Sequence, residues 1–194
     1  ITFSDDCNIT KQALKCFNIA KHCFSVTLLL TQFDVGNYLR AFQALTRTAD
    51  DIYYHSQRHA YTTVLNCYEG AMHDGSFTKV ELRNLLLAAL FHDAGHSLGA
   101  HTDAVNIETA CSMLKLVNGS LFLGARMNGG SLATVLETIR ATKWPVNTPA
   151  QNKFQKIIRD ADIMTAFLPS AQRLPLMLGL FREFNLREKV SIGA

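Results

Sequence analysis

The chain has little that would tie it to a membrane or to nucleic acid. Its longest mostly apolar stretches are residues 26–30 and 85–91, whereas a membrane-spanning helix needs about 20 residues. No basic segment followed by an apolar one opens the sequence, so no signal peptide is predicted. Charged residues make up only 18% of the chain, and the net charge is +3. We therefore expect no membrane partner and no nucleic-acid partner.

Cysteine is also scarce and lacks the spacing of a redox or zinc motif. The chain has five cysteines, an odd number, and none of them forms a C-x-x-C pair. Free thiols of this kind usually act as small apolar side chains in a core. Reduced cysteines are typical of a cytosolic compartment, so we expect a cytoplasmic protein.

The patterning that is present is helical. Apolar residues recur three or four positions apart along most of the chain, and no strand-like alternation accompanies them. A length of 194 residues with 48% hydrophobic content suits one filled core. We therefore predict an all-α protein, a single compact helical bundle formed by residues 1–194.

Local signals predict where several of these helices begin and end. A first helix is expected to begin near Ile9, another to end near Gly70, and a capping box at Thr78 and Glu81 to open the Leu85-rich helix. The stretches 118–120 and 128–130 contain Asn-Gly and are predicted to be turns, with Ser131 capping the next helix. Helices are also expected from Gln151 to about Phe167 and from Leu174 to Phe184.

Two adjacent polar residues, His92 and Asp93, follow directly on the apolar run 85–91. A buried carboxylate is costly without a partner, and a divalent metal ion would provide one. Upstream, His55 and His59 lie four residues apart, which places them on one face of a helix. His96 lies four residues after His92. Imidazoles and carboxylates at the polar ends of apolar segments favour a metal site that activates water.

A further carboxylate ligand is predicted near the end of the sequence, at Asp162 or Asp160. Two positions on a helix differ by roughly 200° around its axis, so both side chains cannot point at one ion. The apolar neighbours Ile158 and Ala161 define a buried face, and Asp162 lies beside it. We therefore favour Asp162 as the ligand and keep Asp160 as the alternative.

The order His, His-Asp, Asp on a helical chain resembles that of the HD-domain metal-dependent phosphohydrolase superfamily. Residues 54–64, YHSQRHAYTTV, resemble the Y-H-N-x-x-H-A-x-x-V signature of class I cyclic nucleotide phosphodiesterases. Residues 88–96, AALFHDAGH, resemble their A-A-x-x-H-D-x-x-H-P-G segment, and residues 161–163 resemble A-C-D-L. The resemblance runs from about residue 50 to about residue 165.

This resemblance implies roles for the matching residues. The implied ligands of a tightly bound metal are His59, His92, Asp93 and Asp162. Asp93 would also bridge to a second metal, His96 would orient a water or phosphate, and His55 would protonate the leaving oxygen. The printed sequence ends soon after Phe184, before the segment in which that family carries its purine-gripping glutamine. We therefore expect a truncated, stand-alone HD domain without inherited cyclic-nucleotide specificity.

Residues 103–110 resemble the D-N-E-x-x-S-A stretch of small stand-alone HD hydrolases. There, Asn106 and Glu108 could support the metal ligands by hydrogen bonds, or belong to an ordinary polar helix N-terminus. Arg58 and Arg159, together with Asn106, are the predicted substrate contacts, because arginine suits bidentate phosphate binding. Trp144 either stacks on a base or closes the edge of the core, and we favour the core.

The expected function is metal-dependent hydrolysis of a phosphodiester or phosphoester of a nucleotide-like substrate. Its cofactor would be one or two divalent ions of zinc, magnesium, manganese, iron or nickel, and its partner a small phosphate ester. Alternatives are an HD-type nucleotidase or dNTP triphosphohydrolase, a non-catalytic nucleotide-sensing module, and a di-iron oxygenase that recruits His96 and His101. The sequence leaves the oligomeric state open, a homodimer included.

Overall fold

The computed structural model describes residues 24–46, 54–97, 101–164 and 170–192. All regular structure in these ranges is helical, which confirms the all-α prediction. The helix expected near Ile9 lies outside the described residues. No helix in these ranges is long and apolar enough to span a bilayer. The helices are α1 (residues 24–32), α2 (Gly36–Thr46), α3 (Gln57–Asp74), α4 (Lys79–Phe91), α5 (Asp103–Ser120), α6 (Gly129–Arg140), α7 (Lys153–Ile163) and α8 (Ser170–Ile192), with a short 3-10 turn at Leu123–Ala125.

Helix α4 lies at the centre of the bundle. It packs against α2, α3, α5, α6 and α7, and every side chain from Leu85 to Phe91 is fully buried. A helix surrounded on all sides needs apolar residues around its whole circumference, which explains the unbroken apolar run in the sequence. The first polar residues after this run, His92 and Asp93, therefore lie at the end of the core, where His92 is buried and Asp93 is half-buried.

The sequence predicted the start of α4 correctly and the end of α3 incorrectly. The predicted capping box is confirmed: Thr78 Oγ1 accepts from the Glu81 backbone N–H at 3.2 Å, and a Glu81 carboxylate oxygen accepts from Thr78 N–H at 2.8 Å. Helix α3, however, continues past Gly70 to Asp74, and Gly75, whose φ is 69°, is its C-cap. Gly70 faces α7, where an added Cβ would lie 3.2 Å from Ile157, so this glycine permits close helix packing.

Both predicted Asn-Gly turns were wrong, because the first segment lies inside a helix and the second begins one. Residues 118–120 belong to α5, where the buried Asn118 amide oxygen accepts hydrogen bonds from the Tyr38 hydroxyl and the Met127 backbone N–H. Asn128 is itself the N-cap of α6, accepting from the Ser131 N–H at 2.8 Å. Ser131 is therefore inside the helix rather than its cap. Helix α7 begins at Lys153, and α8 extends beyond both predicted ends, from Ser170 to Ile192.

Candidate metal centre

Three helices bring four ligand-type side chains to one point. His59 lies in the first turn of α3, His92 and Asp93 follow the last residue of α4, and Asp162 lies in the last turn of α7. Both imidazoles are buried to within 1% of full burial. Helix α3 packs against both α4 and α7, and this packing brings together groups far apart in the sequence.

The four donor atoms form a compact cage. His59 Nε2 lies 3.2 Å from His92 Nε2, 3.3 Å from Asp93 Oδ2 and 3.0 Å from Asp162 Oδ1. His92 Nε2 lies 2.9 Å from Asp93 Oδ2 and 3.6 Å from Asp162 Oδ1. Metal–ligand bonds of about 2.0–2.2 Å place neighbouring ligand atoms roughly 2.8–3.6 Å apart in tetrahedral or octahedral geometry. The observed separations therefore fit a divalent first-row ion or Mg²⁺.

The hydrogen bonding of His92 also favours a cation in this cage. Its Nδ1 lies 2.8 Å from the carbonyl oxygen of Ala89, so we assign the Nδ1 proton to that bond. Nε2 of the neutral ring is then an acceptor that faces two carboxylate oxygens and a second imidazole nitrogen. Such a group of acceptors is stable only when a positive charge lies among them, either a proton or a metal ion. The donor set of two imidazoles and two carboxylates suits zinc, manganese, iron or nickel better than the all-oxygen shell preferred by magnesium.

The pKa shifts of His92 and Asp162 also favour positive charge in the cluster. Burial would lower the pKa of His92, but the Asp93 and Asp162 carboxylates raise it well above its usual value. Burial would raise the pKa of Asp162, but hydrogen bonds to His59 and His92 hold it far below its usual value. A site that draws protons onto imidazoles in this way will also attract a metal cation.

A second group of polar side chains adjoins the first. Glu183 of α8 is buried, and its carboxylate accepts the His55 backbone N–H at 2.9 Å and contacts His55 Nδ1 at 2.5 Å. The rings of His55 and His96 are stacked with their centroids 3.5 Å apart. His55 Nε2 lies 4.0 Å from Asp93 Oδ2, which links the two groups. His55, His96 and Glu183 also present donor atoms close enough together to share an ion.

The two stacked histidines have opposite pKa shifts. Burial lowers the pKa of His55, but the charges of Asp93 and Glu183 outweigh this effect and raise it. Burial, followed by the neighbouring His55, lowers the pKa of His96 to about 4. Adjacent titratable groups whose pKa values are driven apart are characteristic of acid and base pairs in active sites.

The sequence prediction missed Glu183. Its only local signal is a charged residue within the mostly apolar stretch 174–184 of α8. Nothing in that stretch relates it to His55, which lies 128 positions earlier in the chain. The contact arises only when α8 packs beside the start of α3.

The remaining predicted residues are divided between the site and other surfaces. Asn106 lines the cavity described below, and its side-chain oxygen accepts from the backbone N–H and the hydroxyl of Ser97. Arg159 instead donates to the carbonyl oxygens of Ala141 and Thr148. Neither Arg58 nor Arg159 is among the residues that line this cavity.

Two further carboxylates face away from the centre. Asp160 is exposed and lines a separate groove together with Lys153 and Lys156. Glu108 forms a bidentate ion pair with Arg140, with N–O distances of 2.7 and 3.1 Å. Asp162 is therefore the carboxylate that the fold brings to His59 and His92, and Glu108 does not reach the ligands.

A cavity of about 430 Å³ opens over both polar groups, a volume within the range of small-molecule sites. The polar part of its lining includes Asp93, Asp162, His55 and His96. The apolar and aromatic part consists of Tyr54, Ile107, Trp144, Ile163, Leu180 and Phe184. Trp144 is 67% exposed, so its predicted place at the edge of the core was wrong and its ring is accessible from the cavity.

Comparison of the chain with protein-family models, with curated protein sequences and with solved structures finds no match. The resemblance to HD-domain phosphohydrolases therefore stays a prediction from the motifs. Independently of that resemblance, the structure contains four converging metal-ligand donors beside a cavity of substrate size.

Proposed function

We propose that the protein hydrolyses a phosphodiester or phosphomonoester of a nucleotide-like substrate, using one or two bound divalent metal ions. The observation that carries this proposal is the cage formed by His59, His92, Asp93 and Asp162. The cage opens into a cavity with an apolar, aromatic wall. This combination suits a phosphate group bound at the metal and an organic group held against the wall.

The residues that would hold the principal ion are the four members of the cage. Asp93 lies between the two polar groups and is the natural bridge to a second ion. A divalent cation bound there would neutralise phosphate charge and lower the pKa of a coordinated water. The surrounding apolar residues of α4 would keep competing water away from the buried imidazoles.

His55 would supply the proton that the leaving oxygen needs. Glu183 accepts the bond from His55 Nδ1, which orients the ring so that Nε2 points toward Asp93. This is the arrangement of a general acid fixed by a carboxylate on its other nitrogen. Glu183 acts through His55 and is a positioning residue.

His96 would assist by orienting the attacking water. Its lowered pKa keeps the imidazole neutral, so a ring nitrogen can accept a hydrogen bond from water or share one with phosphate. In the overall reaction, one P–O bond forms from water and one P–O bond to the leaving group breaks. The leaving oxygen takes a proton from His55, and a proton released by the attacking water returns that residue to its starting state through solvent.

The test is a hydrolysis screen with defined metals. The purified protein, stripped with chelator and reloaded with manganese, zinc, nickel, magnesium or iron(II), is assayed on bis(p-nitrophenyl) phosphate, p-nitrophenyl phosphate and nucleoside mono-, cyclic and triphosphates. We expect turnover that requires added metal and is lost in His92→Ala and in Asp93→Ala.

The matched control is Asp160→Asn, an exposed aspartate two positions from a cage member, which should keep the activity of the starting protein. The hydrolase proposal fails if no metal supports turnover. It also fails if turnover survives in both cage variants. Nucleotide binding without turnover would instead support a sensing module.

A further inference from the structure

Four carboxylates line the cavity, and three of them have a cationic partner or an expected one. Asp93 and Asp162 belong to the metal cage. Glu183 contacts the His55 ring. The fourth is Asp103, the first residue of α5, which also lines the cavity. The sequence resemblance named Asp103 only as the first residue of the stretch 103–110 and gave it no role of its own.

The backbone of the neighbouring loop holds Asp103 in place. Its Oδ2 accepts the backbone N–H of Trp144 at 2.7 Å, which is a neutral donor rather than a cation. Among the described residues this is the only hydrogen bond of the carboxylate, which leaves Oδ1 available for a ligand. Trp144 lines the same cavity as Asp103.

Asp103 is electrostatically coupled to the metal cage. Burial raises the pKa of Asp103, the Trp144 N–H lowers it, the charges of Asp93 and Asp162 raise it, and the charge of His55 lowers it. Asp103 lines the same cavity as Asp93 and Asp162, so its carboxylate interacts with charged groups bound there. A substrate whose phosphate occupies the cage would have its remaining atoms in the cavity that Asp103 and the apolar residues line.

We infer that Asp103 and Trp144 determine the substrate class, selecting a single phosphate esterified to an aromatic, hydroxyl- or amino-bearing group such as a nucleoside, and rejecting polyphosphates. This inference rests on the proposed function for the phosphate position. A hydroxyl or amino group donates to Asp103 Oδ1, and an aromatic ring stacks on Trp144. A second or third phosphate would bring negative charge toward this carboxylate, and like charges a few Å apart weaken binding by at least about tenfold.

Binding can be measured without turnover, because Trp144 is the only tryptophan in the chain. Its fluorescence is titrated with adenosine monophosphate and with adenosine triphosphate at the same free manganese concentration. We expect both nucleotides to change the emission and the monophosphate to bind at least tenfold more tightly. In Asp103→Asn, whose amide oxygen can still accept the Trp144 N–H, triphosphate binding should improve and this ratio should shrink by about tenfold.

Asp160→Asn removes the same charge from an exposed site outside the cavity and should leave the ratio of the two dissociation constants unchanged. The inference is overturned if Asp103→Asn keeps the ratio of the starting protein, if the starting protein prefers the triphosphate, or if neither nucleotide changes the emission. Hydrolysis of bis(p-nitrophenyl) phosphate is measured on the same samples. Turnover without a change in ratio refutes this inference alone, whereas the expected ratio without turnover refutes the hydrolase proposal and keeps the inference.

Discussion

Replacing Asp162 by asparagine should abolish the stabilisation of the protein by metal. The side chain keeps its size, so the packing of α7 should survive, but one of the two anionic ligands of the cage is lost. Asp160→Asn is the matched comparison, because it makes the same change two positions away on an exposed face. Comparing the two variants distinguishes the effect of losing a metal ligand from the effect of losing one negative charge.

The size of the effect follows from binding linkage. A metal present at about 100 times its Kd adds about 2.7 kcal/mol to the free energy of unfolding. For a domain of this size each kcal/mol raises Tm by about 2–4 °C, so a rise of about 5–11 °C is expected. Even loss of a group that only supports a ligand weakens metal binding by about 10–100-fold. A hundredfold loss for Asp162→Asn would leave about 0.4 kcal/mol and a rise of about 1–2 °C.

The measurement is differential scanning fluorimetry or calorimetry of chelator-treated protein with increasing zinc or manganese. Metal-free Tm values are recorded for all three proteins, so that a folding defect is visible before metal is added. The starting protein and Asp160→Asn should show the full rise, and Asp162→Asn little of it. An equal rise in all three proteins would place the bound metal elsewhere and refute the cage. The absence of any rise in the starting protein would have the same consequence.

Three further predictions concern the framework around the site. Hydrogen bonds from Thr78 and from Lys153 lower the pKa of Glu81 from 4.5 to about 2, so its stabilising effect is complete above pH 4.5 and is lost as the pH falls toward 2. Glu81→Gln should therefore reduce stability in urea more at neutral pH than near pH 2, and an equal loss at both would contradict this. Cys67 is fully buried, and burial raises its thiol pKa, so iodoacetamide should label it only after unfolding, and labelling of the native protein seen by peptide mass spectrometry would disprove that burial. Gly95 has a φ of 76°, and a Cβ there would lie 2.6 Å from a methionine sulphur in α5, so Gly95→Ala should lower the free energy of unfolding by about 1–3 kcal/mol. Gly119 lies within α5 with open space around it, so Gly119→Ala should be neutral or stabilising by up to about 1 kcal/mol. Equal urea midpoints for the two variants would rule out the strain at Gly95.

Local signals were sufficient for the central helix. The apolar run 85–91 predicted a buried helix, and the Thr78 capping box predicted where it begins. Local signals failed at Gly70 and at Asn118. The contact that explains Gly70 is made with Ile157 in another helix, and Asn118 accepts a hydrogen bond from Tyr38, 80 positions away. Glycine and asparagine are both common in turns, but here each makes a contact with a residue in a distant segment.

Part of the candidate site could likewise be predicted from the sequence, and part could not. Helical periodicity excluded the joint use of Asp160 and Asp162 and favoured Asp162, which is the one that lies beside His59. The motifs placed His59 and His92 in one site although they are 33 positions apart. No pattern pointed to Glu183, and the motif that begins at Asp103 gave that residue no role; both residues meet the site's side chains and its cavity only after folding.

By itself, the sequence determined the all-α class and which imidazoles and carboxylates stand at the polar ends of apolar segments, because periodicity acts between residues a few positions apart. Only the tertiary structure decided which of these ends meet, that α8 brings a carboxylate to His55, and that Trp144 and Asp103 share a cavity wall. Those contacts depend on which apolar faces bury one another across the bundle, and local spacing shows that a face is buried but not which distant segment covers it.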